Sequence, residues 1–310
     1  MLPNSFFKLI KLAFSKIEGR SPDAPVSSII PEFSKLVKSV DPGFIWLGHS
    51  AVYLNLGGKK ILTDPVFSKR ASPVNFSGPK RFEQLHPIIP DDIPLPDVII
   101  LSHDHFDHLD HKAIRDHFKT VKHFLVPLGV RDHLERWGVP ATSIMEFDWW
   151  QEKLILNKFN ITAAPARHFS GRRGQNNSTL WCSWIIRHGK YKVYFSGDSG
   201  YAKHFAEIGQ RLGPFDLAIM ESGAYGQYWP NIHMLPEQSV QAALDLRARL
   251  TLPVHWAKFN LAFHPWKEPI ERFTKEAIIK ELDYATPRIG EYVNLAGQIP
   301  KPEWWKSETA

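Results

Sequence analysis

The chain has 310 residues, of which 43% are hydrophobic and 23% are charged, so a disordered tail is excluded and a sizeable core can form. The formal net charge of +6 is a mild excess that suits an anionic substrate or a membrane surface and gives little support to nucleic-acid binding. The single cysteine, Cys182, excludes a disulfide within the chain.

The first predicted element is a basic amphipathic helix over residues 5–17. Its apolar residues recur at helical spacing. Because Lys8, Lys11 and Lys16 interrupt them, the segment lacks the apolar run of a secretory signal. Such a helix either lies in a lipid headgroup layer or packs on its own domain or on a second subunit. We therefore expect an N-terminal helical appendage over residues 1–40 and a main domain over residues 41–310.

From residue 44 the pattern changes to short strands mixed with helices, first in one half of the chain and then again in the other. Strands are predicted at 44–47, 51–56, 60–63, 98–101, 123–126, 154–163, 181–187, 192–196, 216–221 and 252–255. Helices are predicted around 113–118, 130–137, 201–211, 236–247 and 268–282. Two similar halves of this kind predict an α/β fold, a sandwich with sheets inside and helices outside.

The strongest chemical signal is His103-x-His105-x-Asp107-His108, which directly follows a predicted buried strand. Imidazole and carboxylate together suit zinc, iron or manganese. Four ligands so close in sequence cannot easily surround one ion. The motif therefore predicts two neighbouring ions, with His103 and His105 on one and Asp107 and His108 on the other.

Three further candidate ligands each follow a predicted strand, where sites collect on layered folds. They are His168, Asp198 and His255. Added to the motif, they complete two sets that share one carboxylate. The predicted sets are His103, His105 and His168 for the first metal, Asp107, His108 and His255 for the second, and Asp198 between them.

The motif, the later histidine, the Gly-Asp pair and the last histidine, in this order, resemble the metallo-β-lactamase superfamily of binuclear hydrolases over about residues 43–295. The segments 46–51, 62–82, 166–172, 196–201 and 232–238 resemble the branch that contains N-acyl-phosphatidylethanolamine-hydrolysing phospholipase D and its bacterial relatives. The resemblance implies a four-layer αβ/βα sandwich of metallo-β-lactamase type, with the metals at one edge.

The resemblance also implies a binuclear metal-dependent hydrolase that holds two divalent ions, zinc in first place and manganese or iron as alternatives. The implied reaction is phosphodiester hydrolysis of phospholipase D type on N-acyl-phosphatidylethanolamine-like lipids by a metal-bound hydroxide. Asp107 and Asp198 are the expected catalytic carboxylates. A role in catalysis is also expected for His49 and His233, as hydrogen-bond donors to the substrate.

Three of these assignments have structural alternatives. Asp64 resembles the acidic residue that orients a ligand histidine in this superfamily, and it is equally a turn-starting aspartate before Pro65. His49 either faces the site or satisfies a buried turn. His233 reaches either the substrate or a residue behind the ligands.

The sequence departs from the mammalian phospholipases at residues 224–233 and carries His264, and both differences lie where substrate specificity would be set. The alternatives are therefore a lactonase or sugar-phosphate hydrolase of the neighbouring ascorbate-phosphate lactonase branch, and a non-hydrolytic metal-binding protein. The expected partner is a small-molecule or phospholipid substrate and not nucleic acid. The expected location is cytoplasmic, with peripheral membrane contact through residues 5–17, and no feature of the sequence determines an oligomeric state.

Overall fold

The computed structural model describes residues 18–74, 76–172 and 175–306. The predicted helix over residues 5–17 lies outside these residues. In the described part, two β-sheets face each other and helices cover their outer surfaces, as the α/β sandwich prediction requires.

The first sheet has seven strands in the order β15-β1-β2-β3-β4-β5-β6. They are β1 (Gly43–Trp46), β2 (Val52–Leu56), β3 (Lys59–Thr63), β4 (Val98–Ile100), β5 (His123–Pro127), β6 (Ile144–Phe147) and β15 (Tyr292–Asn294). Strands β3 to β6 run parallel to one another, and β1, β2 and β15 are joined in antiparallel pairs.

The second sheet has six strands in the order β14-β13-β12-β11-β8-β7. They are β7 (Glu152–Ile155), β8 (Phe159–Ala164), β11 (Ser183–His188), β12 (Tyr191–Phe195), β13 (Leu217–Glu221) and β14 (Thr251–Val254). Strands β12 to β14 are parallel, and the short hairpin of β9 (Gly171–Arg172) and β10 (Gln175–Asn176) stands apart from both sheets.

Helices flank both sheets. They are α1 (Phe33–Lys38), α2 (His111–Ala113, continued by a π-helix over Ile114–Phe118), α3 (Arg131–Arg136), α4 (His204–Leu212), α5 (Pro236–Asp245) and α6 (Glu268–Ile279). Short 3₁₀ turns lie at Pro90–Asp92, Ala141–Ser143 and Trp304–Lys306. Phe205, Val240 and Phe273 place one apolar side chain from each of α4, α5 and α6 against the outer face of the second sheet.

Two predicted elements differ from the structure. The single strand predicted at 154–163 is a hairpin, β7 and β8, because Leu156 and Asn157 take positive φ angles of 49° and 58° and reverse the chain. The helix predicted from residue 201 begins at His204. The predicted domain boundary at residue 40 remains a prediction, although Val26 and Leu36 are buried in the core that the strands form.

The C-terminal segment docks on the body of the protein through Trp304 and Trp305, which are 4% and 2% exposed. Trp304 stacks on Trp256 with ring centroids 5.0 Å apart, and its indole N–H donates to the carbonyl of Pro287. Trp256 is the residue after His255. The tail therefore packs directly behind a candidate ligand.

We expect Trp304→Ala to lower the free energy of unfolding by about 3–5 kcal/mol, because it empties a buried site the size of an indole ring. Urea unfolding followed by circular dichroism measures the change. The control is Trp149→Ala, since Trp149 is 36% exposed and should cost less. Equal effects of the two substitutions would contradict a structural role for the docked tail.

Candidate metal centre

All the predicted site residues lie at one edge of the two sheets, where strands pass into loops. The motif from His103 to His108 follows β4, and Asp64 follows β3. His168, Asp198 and His255 come after β8, β12 and β14 of the other sheet. Since the carboxyl ends of parallel strands share one edge, loops far apart in sequence meet there.

The first donor set consists of His103, His105, His168 and Asp198, whose ligand atoms all lie within 4.8 Å of one another. The Nδ1 atom of His105 is 2.9 Å from Nε2 of His103 and 3.2 Å from Nε2 of His168. Oδ2 of Asp198 is 3.8 Å and 3.7 Å from the same two Nε2 atoms.

The second donor set consists of Asp107, His108 and His255, joined by the same carboxylate oxygen of Asp198. Nε2 of His108 and Nε2 of His255 are 3.1 Å apart, and each is 3.1 Å from Oδ2 of Asp198. Oδ2 of Asp107 lies 3.4 Å from His108 and 3.3 Å from His255. The structure thus brings the seven predicted ligands together, and the ligand atom of His49 lies within 4.8 Å of those of Asp107, His108 and His255.

Hydrogen bonds on the far side of the rings set the tautomers of two histidines in the first set. The Nδ1–H of His168 donates to the carbonyl of Ile232 at 2.8 Å. The hydroxyl of Ser102 donates to Asp64, so Nδ1–H of His103 donates to that hydroxyl oxygen at 2.9 Å. Both Nε2 lone pairs therefore point into the centre, as metal-ligating histidines require.

Asp64 lies behind His108, on the side of the ring that faces away from the two donor sets. Its Oδ2 accepts from Nδ1–H of His108 at 2.6 Å and from the hydroxyl of Ser102 at 2.6 Å, and its Oδ1 accepts from the backbone N–H of Ser102. Asp64 is 1% exposed, and burial raises its pKa while these hydrogen bonds act against the rise. One buried carboxylate thus orients the motif loop and one of its histidines.

Burial and the neighbouring charges shift the pKa values of the histidines and carboxylates in the centre. Burial lowers the pKa of His103 and of His168 well below the ordinary value, which favours neutral rings with a free lone pair. Burial acts to raise the pKa of Asp198, but His108 and His255 outweigh it and hold that pKa well below its ordinary range. Burial opposes protonation of His255, yet Asp198 and Asp107 raise its pKa to about 10.

The donor spacing fits divalent cations. With metal–ligand bonds of about 2.0–2.2 Å, the corners of a tetrahedron are about 3.3–3.6 Å apart, close to the separations in both sets. Oδ1 of Asp198 is buried and has no hydrogen-bond partner in the described part of the chain. The second carboxylate oxygen is therefore available to a cation as well.

The backbone is strained where it enters the site. His49, Asp64 and His255 have positive φ angles of 55°, 29° and 69°, which cost non-glycine residues of order 1 kcal/mol each. Gly197, before Asp198, has φ of 55°, and a Cβ there would lie 2.5 Å from Cβ of Ser102. Only glycine fits at this position, which brings Asp198 close to the motif loop.

The two remaining predicted residues line the rim of the centre. Nε2 of His49, which is 1% exposed, lies 3.0 Å from Oδ2 of Asp107, and its ring centroid is 4.1 Å from that of His255. The ring of His233 lies 5.1 Å from that of His168 and 5.3 Å from that of His255. Both therefore contact the ligand shell.

Sequence reasoning missed Glu221, a fully buried carboxylate at the end of β13. Its Oε1 accepts from the backbone N–H of Met234 at 2.7 Å, and its Oε2 lies 3.2 Å from Nδ1 of His233. It forms a third cluster of potential ligand atoms with Asp198, His233 and His255. The signal was available, because Glu221 ends a predicted strand just as the other ligands follow theirs.

The comparisons with known proteins define the class. The family model described as "Beta-lactamase superfamily domain" matches residues 59–256. The chain belongs to this superfamily of metal-dependent hydrolases, and the predicted metallo-β-lactamase fold is confirmed.

More particular similarities are found among individual proteins. An uncharacterised protein of Mycobacterium tuberculosis is 43% identical over 84% of this chain and 71% of its own length. N-acyl-phosphatidylethanolamine-hydrolyzing phospholipase D 1 of Caenorhabditis elegans is 33% identical over 79% of this chain and 74% of its own. The isothiocyanate hydrolase from Delia radicum gut bacteria has the same fold, with a TM-score of 0.61, 20% identity and coverage of 81% and 98%.

Proposed function

We propose that this protein is a binuclear phosphodiesterase of phospholipase D type that hydrolyses N-acyl-phosphatidylethanolamine-like lipids. The observation that carries the proposal is the pair of donor sets sharing Oδ2 of Asp198. In this proposal His103, His105 and His168 hold one divalent ion, and Asp107, His108 and His255 hold the other, with zinc as the expected metal. Two such ions lower the pKa of bound water toward neutrality and stabilise charge on substrate oxygens.

A cavity of about 490 Å³ next to the metal centre supports an organic substrate with an apolar portion. It begins at His233 and continues along the aromatic rings of Tyr225, Tyr228 and Phe263. Its carboxylate, Glu268, accepts from the hydroxyl of Tyr225 at 2.6 Å and from Arg272 at 3.0 Å. The charges in the cavity are thus paired, which suits acyl or other uncharged groups.

His233 is the proposed hydrogen-bond donor to the substrate at the junction of this cavity and the metal centre. Its Nδ1 faces Glu221, which leaves Nε2 as the nitrogen for the substrate. His49 contacts the centre through Asp107. Together the two histidines would position the phosphodiester between the donor sets and the aromatic cavity.

The proposed location is cytoplasmic, with peripheral membrane contact through the basic segment at 5–17. In the described residues, no helix has the length and apolar character needed to cross a bilayer. The similarity to the phospholipase of Caenorhabditis elegans supports a lipid substrate.

The test is a substrate panel for the metal-loaded protein. We expect N-palmitoyl-phosphatidylethanolamine vesicles to yield phosphatidic acid and N-palmitoylethanolamine, with ¹⁸O from labelled water in the phosphate, because water cleaves the P–O bond. Turnover of lactones or sugar phosphates without phosphatidic acid would refute the phospholipase proposal in favour of the lactonase branch. Metal bound without turnover of any substrate would favour the non-hydrolytic alternative.

Deletion of residues 1–17 tests the membrane contact separately. Activity on vesicles should fall at least tenfold, while activity on bis(p-nitrophenyl) phosphate should stay within twofold, because the deletion removes three lysines that attract anionic headgroups. Equal loss on both substrates would mean that the segment acts on folding and not on lipid binding.

A further inference from the structure

A second cavity, of about 390 Å³, lies against the loop that carries the proposed ligands. Phe106, Leu109 and Asp110 of that loop line it, and none of these three belongs to either donor set. The helices α2 and α3 and the end of β9 provide other walls. The cavity is therefore distinct from the aromatic cavity that begins at His233.

The lining of this cavity is rich in positive charge. The cationic side chains that line it are Arg70, Lys112, Arg115, Arg136 and Arg172. The carboxylate of Asp110 also lines it but is already engaged. Its Oδ2 accepts from the backbone N–H groups of Phe67 and Ser68, and its Oδ1 accepts from the backbone N–H groups of Lys112 and Ala113 at the start of α2.

Three of these cations, Lys112, Arg115 and Arg136, have one carboxylate partner among them. Lys112 and Arg115 share Asp116, whose two oxygens each lie 2.6 Å from one of them. No carboxylate or carbonyl contacts the guanidinium of Arg136 within the ranges that the structure describes. By contrast, Arg249, which lies before β14, pairs with Asp216 at 2.9 Å. The cavity thus has a local excess of positive charge.

One of the five cations, Arg172, is buried and held in place by hydrogen bonds. The side chain of Arg172 is buried, and its Nη1 donates to the carbonyls of Asp104 and Leu109 at 2.8 and 2.9 Å. Its guanidinium carbon lies 4.1 Å from the ring centroid of Phe106 and 5.0 Å from that of Trp137. The guanidinium of Arg172 is therefore a fixed part of the lining, whereas the side chains of Lys112 and Arg115 are exposed.

We propose that this cavity binds a phosphate group, as a second anion site separate from the metal centre. A guanidinium group can donate two parallel hydrogen bonds to two oxygens of one phosphate. Several cations around one cavity favour a multiply charged anion over a single carboxylate. The volume exceeds that of phosphate alone, so the group can belong to a larger molecule. Phe106, Leu109 and Asp110 connect the bound anion to the metal-ligand loop.

The test compares two double variants in titration calorimetry with inorganic phosphate and pyrophosphate at low ionic strength. R115Q with R136Q removes two cations from the cavity. R187Q with R249Q removes the same charge from two exposed arginines, one on β11 and one before β14. We expect the cavity variant to weaken binding at least tenfold and the control variant to stay within twofold of the original protein. Equal affinities in all three proteins would overturn the proposal.

Amide hydrogen exchange shows where phosphate binds on the protein. Vesicle binding shows whether the natural phosphate group belongs to a lipid or to a soluble molecule. Phosphate should protect amides in residues 106–118 and 131–137, whereas protection only around His168, Asp198 and His255 would overturn the proposal. Vesicles of phosphatidylcholine, with and without phosphatidylglycerol, form the second arm. With phosphate binding weakened in the cavity variant, a parallel loss of binding to the anionic vesicles identifies a lipid headgroup as the source, and unchanged vesicle binding identifies a soluble phosphate. Binding of neither probe contradicts the site.

Discussion

Replacing Asp198 by alanine is expected to abolish hydrolysis, with at least a thousandfold loss of kcat/KM, or about 4 kcal/mol of transition-state stabilisation. Its Oδ2 lies 3.1 Å from Nε2 of both His108 and His255, and Asp198 is also a member of the first donor set. Removing it takes one oxygen from both sets at once. Elemental analysis should show bound metal falling from about two equivalents per chain to one or fewer.

The control for this substitution is Asp283→Ala, which removes a carboxylate that is 75% exposed and pairs with Lys301. That variant should keep its metal and its activity. Asp107→Ala should empty mainly the second donor set, because Asp107 contacts His108 and His255 but does not belong to the first set. Full activity of Asp198→Ala with both metals bound would rule out the bridging role.

Replacing Asp64 by asparagine is expected to weaken metal binding by the second set 10- to 100-fold, although Asp64 belongs to neither donor set. With its amide oxygen accepting from the backbone of Ser102, the new NH₂ group faces Nδ1 of His108. That ring must then carry its proton on Nε2, which is the nitrogen turned toward Asp198. The substitution changes one tautomer with almost no change in side-chain volume.

Competition with a zinc-binding dye measures the loss of affinity, and proton NMR of the histidine ring reports the tautomer. Glu146→Gln serves as the control, because Glu146 also accepts from a backbone N–H, that of Gly129, but lies away from the histidines. It should leave metal affinity unchanged. Unchanged affinity in Asp64→Asn, with the protein folded, would show that Asp64 merely starts the turn before Pro65.

Much of the centre could be predicted because its signals are local in the sequence. A buried strand followed by His-x-His-x-Asp-His is visible without a structure, and His168, Asp198 and His255 repeat the strand-end position. The division into two donor sets was predicted because four ligands within six residues cannot easily surround a single ion. Each of these inferences needed only a strand pattern and coordination chemistry.

Other features could not be read from a single segment. Glu221 ends a predicted strand, but its contact with His233 could not be predicted, since His233 lies twelve residues away in an irregular segment. The phosphate cavity combines side chains from distant segments, among them Arg70, Arg136 and Arg172, whose proximity depends on tertiary packing. The hairpin within 154–163 depends on two left-handed residues that have no glycine signature.

The distribution of the second donor set along the chain has a consequence for protein synthesis. His108 and His255 face each other across 147 residues of sequence. At translation rates of about 5–20 residues per second, the ribosome needs roughly 7–30 s to add the second histidine after the first. During that interval a nascent chain displays the motif without its last partner, so the second proposed donor set is complete only after His255 has been made.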